Sequence, residues 1–408
     1  MESESESKTP SKFTKSYTFK MLFLVFLVLI LLIPLTMVGG IIDERSRTAD
    51  SAEADIMKAW GSELVAAGPI IAIPGTRSET IREKDVAWDT TKNIALRSDY
   101  GEPSVTGIAW GNNKFVAVGY SFKYHDEPDL TNGLIAYSSD GINWTSVKNT
   151  SFGGIPSSIN DIAFGKDKFV AVGDYGKIAY SPDGVNWTTV TNNPFDSSGI
   201  ADIAWGEDKF VAGGRNGKMA YSLDGVNWTA VTNSPFNSYI RSIAWGNNKF
   251  VASSGSGEIA YSPDGINWTA VKDAPGSTTI VWGKDKFVAG VDIWEEEIGL
   301  YGKIMYSSDG INWTAMMPSP LRNPNEDYTH PIHKIAWGNN MFIAVGGDLD
   351  VVIMAYSPDG INWTFEDFFV EKFEKRPPFD DHVNVDALTW INGRFAAGDT
   401  RGRIMFSK

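Results

Sequence analysis

His330 and His333 stand with two residues between them in a chain that has only four histidines, and they are the nearest thing in the sequence to a metal-ligand pair. They lie in a Pro-containing loop and no third ligand stands at a defined spacing, so no metal is expected there. Acidic runs such as Glu295-Glu-Glu297 have the charge for calcium but no spaced ligand motif. No phosphate-cradling glycine loop or Ser/His/Asp constellation can be placed, cysteine is absent, and no cofactor is expected. What remains is recognition chemistry. Aromatic side chains among charges gather in four stretches: Tyr124, His125 and Asp126; Trp294, Glu296 and Tyr301; Arg322, Tyr328, His330 and His333; Phe369 and Arg376. Such mixtures suit a protein, peptide or glycan surface.

The elements that must hold these stretches are repeats. Tyr180-Ser-Pro-Asp-Gly-Val-Asn-Trp-Thr188 returns in close copies ending at Trp144, Trp228, Trp268, Trp313 and Trp363. A second block, Ile203-Ala-Trp-Gly-Glu-Asp-Lys-Phe-Val-Ala212, precedes each copy and returns with Ile108, Ile162, Ile243, Ile280, Ile335 and Leu388 in first place. Each unit reads as four strands. In the second, Phe169 and Ala171 point to one side and Val170 and Val172 to the other, and a strand apolar on both faces is buried on both. Asp183-Gly184 is a strong hairpin signal, because glycine accepts positive φ without steric cost. The aspartates at this place, Asp140, Asp183, Asp224, Asp264, Asp309 and Asp359, read as turn caps, and the tryptophans after them as wedges between neighbouring units. The six Asn-Trp-Thr tripeptides match the glycosylation pattern as a by-product of the repeat.

This turn resembles the Asp-box of sialidase-like (BNR-type) propellers, usually Ser-x-Asp-x-Gly-x-x-Trp, with spacing one residue shorter here. The resemblance implies a propeller, and the seven first-strand blocks make it an all-β, seven-bladed β-propeller of four-stranded blades over residues 79–408. The seventh unit stops at Met405-Phe-Ser-Lys408 without a fourth strand. Lys84-Asp-Val-Ala-Trp-Asp-Thr90 aligns with Asp-Gly-Ile-Asn-Trp-Thr, so Trp88 is expected to supply that strand and close the ring. A sialidase would need arginines converging on a carboxylate beside a Tyr/Glu pair and an acid, yet arginine is sparse and does not recur at equivalent positions. A binding module is therefore preferred to a glycan-cleaving enzyme, with an assembly factor for a membrane complex as a further alternative.

Successive first-strand starts are only 37 residues apart between Ile243 and Ile280 but 55 apart between Ile280 and Ile335. The extra length falls in loops of units five, six, seven and one, which emerge on one face of a propeller and are contiguous around a closed ring. Long loops clustered on a rigid scaffold are the usual seat of recognition.

The formal net charge of −14 sets a nucleic-acid partner aside, since a phosphate backbone would be repelled. Residues 1–20 read as a polar cytoplasmic tail. Residues 21–42 carry no charge, and at about 1.5 Å per residue they reach about 33 Å, enough to cross a hydrocarbon core of about 30 Å. An uncleaved anchor is preferred to a signal peptide, whose apolar core is shorter. The lysines at 8, 12, 15 and 20 place the N-terminus inside. Leu31-Leu-Ile-Pro-Leu35, Ile42-Asp-Glu-Arg45 and Gly68-Pro-Ile-Ile-Ala-Ile-Pro74 resemble the opening of CreD-type bacterial inner-membrane proteins. That resemblance implies a single anchor and an envelope location. Residues 43–78 read as a juxtamembrane stalk, and a monomeric propeller is expected at the bacterial inner membrane on its periplasmic side.

Overall fold

The computed structural model describes residues 88–89, 95–98, 101–122, 131–148, 150, 152, 157–272, 277–295, 299–316, 330–348, 351–366 and 384–408. The expected tail, anchor and stalk lie outside these residues, and among the described ones no helix is long and apolar enough to cross a membrane. The chain divides into two units, residues 1–79 and 80–408, and only the second contains described residues.

The second unit is a seven-bladed propeller of four-stranded antiparallel sheets. Blade 2 shows the pattern, with strands Ile159–Gly165, Lys168–Gly173, Ile178–Ser181 and Thr188–Thr189 in order from the axis outward. Phe169 and Ala171 pack with Val116 and Val118 of blade 1. Val170 and Val172 pack on the other side with Phe210 and Ala212 of blade 3. The alternation expected from the sequence thus becomes a pair of dry interfaces per blade, and all four blade 2 side chains are fully buried.

Short connections set the strand order. All seven turns between first and second strands place two successive residues at positive φ, as in Asn112 and Asn113 or Lys166 and Asp167. That geometry matches the twist of a two-residue hairpin, and Asn and Asp tolerate it. At the turn between strands three and four, the Ser181 hydroxyl accepts from the Gly184 amide at 2.8 Å, and Asp183 Oδ1 accepts from the Val185 and Asn186 amides at 2.8 Å. Asn186 Nδ2 donates to Asp183 Oδ2 at 2.7 Å, and Trp187 Nε1 donates to the Gly184 carbonyl. Asp140, Asp224, Asp264, Asp309 and Asp359 make the same bonds to the two following amides and to the asparagine. These asparagines are those of the glycosylation tripeptides, and one of the two Nδ2 hydrogens of each is used in the turn.

Blades meet through more than the turn tryptophans. In six of the seven junctions a glycine ending one innermost strand lies under an aromatic ring of the next blade: a Cβ on Gly165 would come within 2.1 Å of Trp205, and one on Gly206 within 2.2 Å of Trp245. On the same lower face, Lys168 Nζ donates to the Asp224 carbonyl and Lys249 Nζ to the Asp309 carbonyl, each reaching the next blade.

The ring closes as the sequence predicts. Trp88–Asp89 pairs antiparallel with the last strand, Trp88 opposite Ser407 and Asp89 opposite Phe406. Trp88 is buried at the junction of blades 6 and 7, in one cluster with Ile343, Met354, Phe395 and Met405. Blade 7 meets blade 1 through Phe406 and Phe115, 5.2 Å apart edge to face, with the Arg394 guanidinium 4.4 Å above the Phe406 ring. After the closing strand, the Ala95 and Leu96 amides both donate to the Gly402 carbonyl. Leu96 is buried with Val105 and Ile404 between blades 7 and 1.

Trp88→Ala should therefore cost about 3–5 kcal/mol of unfolding free energy, the usual loss for a buried aromatic. A chain starting at residue 100 should lose more than one starting at 79 carrying that substitution, because the strand and the Ala95–Leu96 plug go with it. Denaturant midpoints for the three proteins provide the check, and equal midpoints would show that the ring does not need this segment.

Candidate functional site

The innermost strands surround the axis, each against the next and the last against the first. In six blades the pairing between strands one and two slips by one residue at the same height, leaving Thr106, Asn160, Ala201, Arg241, His333 and Asp386 outside the ladder. Thr278 holds the corresponding place in blade 5. Bulges re-aim side chains, and several of these now bond to the following blade. Thr106 Oγ1 donates to the Ile159 carbonyl at 2.7 Å, Asn160 Nδ2 to Ile200 at 2.7 Å and Thr278 Oγ1 to Ile332 at 2.9 Å. One residue further on the direction reverses. Asp161 Oδ2 accepts from the Ile203 amide at 3.0 Å, Asp202 Oδ2 from the Ile243 amide, and Ser242 Oγ from the Ile280 amide at 3.0 Å.

Asp161 and Asp202 occupy the same position in adjoining blades, within hydrogen-bonding reach of each other. Burial first, and the Asp202 charge second, raise Asp161 well above the ordinary carboxylate range, while the positive charge of Lys334 from blade 6 works the other way. Two like charges this close cannot both ionise cheaply, so Asp161 keeps its proton where a free aspartate has lost one. Glycosidase carboxyls stand about 5 Å or more apart to admit the scissile bond or a water. Carboxyls that touch leave no such gap. Burial also raises Asp386, against the charge of His333 and a bond from Ser104 Oγ, and it raises Asp292, which accepts from the Ile332 amide at 2.9 Å.

The turn aspartates on the lower face shift the other way. At Asp183, Asp224 and Asp264 burial is the largest influence and would raise the pKa, but the two following amides, the asparagine and the serine together bring it down to about 2.

The upper face, where strands two and three connect, is uneven. These strands pair over four residues in blades 2, 3 and 4 and over three in blade 7. In blade 1 the pairing runs on to Phe122 opposite Thr131, in blade 5 to Glu295 opposite Gly299, and in blade 6 to Asp348 opposite Val351. At about 3.3 Å per residue the blade 5 arm rises about 16 Å above its counterparts in blades 2–4. The arms of blades 6 and 1 flank blade 7, which lies low between them.

Of the residues expected to bind a ligand, Tyr124, His125, Asp126, Glu296, Arg322, Tyr328, Phe369 and Arg376 lie outside the described residues, as do the side chains of Trp294 and Tyr301, whose backbones form the blade 5 arm. The two histidines separate. His330 is buried where blades 5 and 6 meet, its carbonyl close over Gly302. His333 occupies the bulge of the blade 6 innermost strand. Among the described residues no three His, Cys, Asp or Glu side chains converge as a metal set.

The axial groups Asp161, Asp202, Arg241, Lys334 and Asp386 were not singled out from the sequence. The signal was present: in Asn160-Asp-Ile162, Arg241-Ser-Ile243 and His333-Lys-Ile335 polar residues precede the first core isoleucine, where a strand buried on both faces has no use for them.

A family model described as "Inner membrane protein CreD" matches residues 16–104, which extends past the expected stalk into the closing strand and the start of blade 1. No curated protein matches the chain. Among solved structures it is similar to "YCF48 bound to D1 peptide" at 16% identity and TM-score 0.55, covering 79% of this chain and 97% of that one. It is similar also to "YCF48 from Cyanidioschyzon merolae" at 14% and 0.53, covering 79% and 98%. A chain of the "Mitotic Checkpoint Complex" matches at 10% and 0.51, covering 84% and 98%. At these identities the likeness is one of fold. The family match is confined to the N-terminal quarter of the chain.

The two sets of carboxyls predict opposite pH responses. For Asp161 the folded state binds more protons than the unfolded one as pH rises above the ordinary value of 3.8, so its contribution to stability falls over that interval. Asp161→Asn removes the titration and keeps an acceptor for the Ile203 amide, so its melting temperature relative to wild type should become more favourable between about pH 4 and pH 7. For Asp183, with a folded value of about 2, stability is present above the ordinary value and is lost as pH falls towards 2. Asp183→Asn should therefore cost most at neutral pH and converge on wild type in acid. Offsets independent of pH would refute both assignments.

Proposed function

We propose that the chain is a membrane-anchored, extracytoplasmic binding module, with residues 21–42 as a single N-in span and the propeller on the periplasmic side. In this reading the raised sector of blades 5, 6, 7 and 1 receives a protein or peptide. The observation that carries it is the unequal extension of the strand-two to strand-three arms. A ring that served only as a spacer would gain nothing from arms that extend the ladder by three to five pairs in blades 1, 5 and 6 and leave blades 2–4 short. The family match at residues 16–104 supports the membrane location, and a similar propeller carries a peptide.

Two measurements test this reading. Fractionation should leave the intact chain with the inner membrane, and protease added from the periplasmic side should digest the propeller; a soluble chain beginning near residue 50 would instead establish cleavage. A photo-crosslinking residue at position 122, on the blade 1 arm, should form an adduct in cells, whereas one at position 142, on the lower face, should not. Equal adducts at both positions, or none at 122, would remove the raised sector as the binding surface.

A further inference from the structure

The low sector of the upper face, over blades 2–4, holds a tyrosine in a conformation that suits it poorly. Tyr175, in the three-residue turn Asp174–Gly176, has φ 58 and ψ 31. The equivalent residue of blade 3 is Asn216, at φ 59. Asparagine tolerates the left-handed region, but a bulky aromatic is strained in it. Burial does not compensate, because Tyr175 is 52% exposed. Five large hydrophobic side chains stand exposed among the described residues, and a second of them, Tyr239, belongs to the same sector.

Two arginines stand beside these tyrosines. Arg215 leads the blade 3 turn, with its amide bonded to the Gly199 carbonyl and its Nε 3.3 Å from where a Cβ on Gly199 would lie. Asp174 Oδ1 is 3.1 Å from the same point. Arg241 Nε is 2.9 Å from the Cβ position of Gly255, whose amide donates to the Tyr239 carbonyl. The charges of Asp174, Arg215, Arg241 and Asp202 all reach the Tyr239 hydroxyl. Both arginines are exposed, and among the described residues neither guanidinium has a hydrogen bond or an ion pair. None of the nearby acids bonds to either guanidinium: Asp174 accepts from Asn160 Nδ2, Asp202 from the Ile243 amide, Asp292 from the Ile332 amide and Glu258 from Ser254 Oγ, and their charges remain in place beside the arginines.

We infer that this sector docks an acidic peptide segment, its carboxylates taken by Arg215 and Arg241 and its backbone and apolar atoms by Tyr175 and Tyr239. Arginine and tyrosine, with tryptophan, are enriched among the side chains that carry binding energy at an interface. Their unpaired guanidiniums complement a local anion, whereas a long polyanion would be repelled by a chain of net charge −14. The inference rests on reading the upper face as a binding surface and adds a second sector with a partner of defined chemistry.

The test is a fluorescence-anisotropy titration of the full chain in detergent, at low salt, with three labelled eight-residue peptides alternating Glu-Ala, Gln-Ala or Lys-Ala. The glutamate peptide should bind, and bind more tightly than the other two. The double variant Arg215→Gln, Arg241→Gln should weaken it at least about tenfold, the scale of losing a charge-assisted contact. Tyr175→Asn should also weaken it while leaving the melting temperature equal or higher, since Asn relieves the turn as Asn216 does; a purely structural role would not separate the two readouts. No binding of the glutamate peptide, equal binding of the lysine peptide, or wild-type affinity in the double variant would overturn the inference. Crosslinking at position 122 reads the raised sector alone, so failure there would leave this titration unaffected.

Discussion

Each blade is apolar on both faces, and that constraint governs the rest of the structure. A sheet such as the one carrying Val170 and Phe169 cannot leave either face in water, so it needs a neighbour on each side, and the neighbour needs another. Only a closed ring satisfies all seven at once. The missing outer strand of blade 7 must then be supplied by some segment, and the residues ahead of blade 1 are the ones that arrive there.

Hydrophobic burial is not directional enough to fix the ring's geometry, and polar contacts supply what it lacks. Near the axis, Thr106, Asn160, Asp161, Asp202, Ser242 and Thr278 each bond to backbone of the following blade. On the lower face Lys168, Lys249 and Arg394 reach carbonyls of the neighbouring turn. The glycine and aromatic contacts, at the lower ends of the innermost strands, leave no room for a methyl group. The ring is thus held both near the axis and at its lower face, and the upper face is where chain is free to vary in length.

The fold was legible because its causes are local and repeated. Six copies of a turn in which one carboxylate caps two amides, and seven strand pairs apolar on both sides, specify a blade wherever they occur. Even Trp88 could be placed, since it aligns with the tryptophan of that turn. The candidate site was less legible for a physical reason. Asp161 and Asp202 lie 41 residues apart and matter only because adjoining blades set their carboxyls side by side. Arg215, Tyr239 and Arg241 come together from two blades at turns the repeat pattern treats as interchangeable. His330 and His333 show the converse, since residues close in sequence stand on either side of the start of the strand at Ile332, one buried and the other in a bulge.

The closing strand also orders events in time. Trp88 and its partner Ser407 lie at opposite ends of the propeller sequence, so an emerging chain can complete blades 1 to 6 while the seventh still waits for residues 404–407 to be synthesised. Until then the segment around Trp88 has no sheet to join, and blade 1 keeps its apolar face towards blade 7 uncovered. Domains generally fold as units, and a contact spanning nearly the whole domain makes that unit large and its assembly slow. Residues 404–407, the last of the propeller to emerge, are then the ones that turn a string of half-covered sheets into a sealed particle.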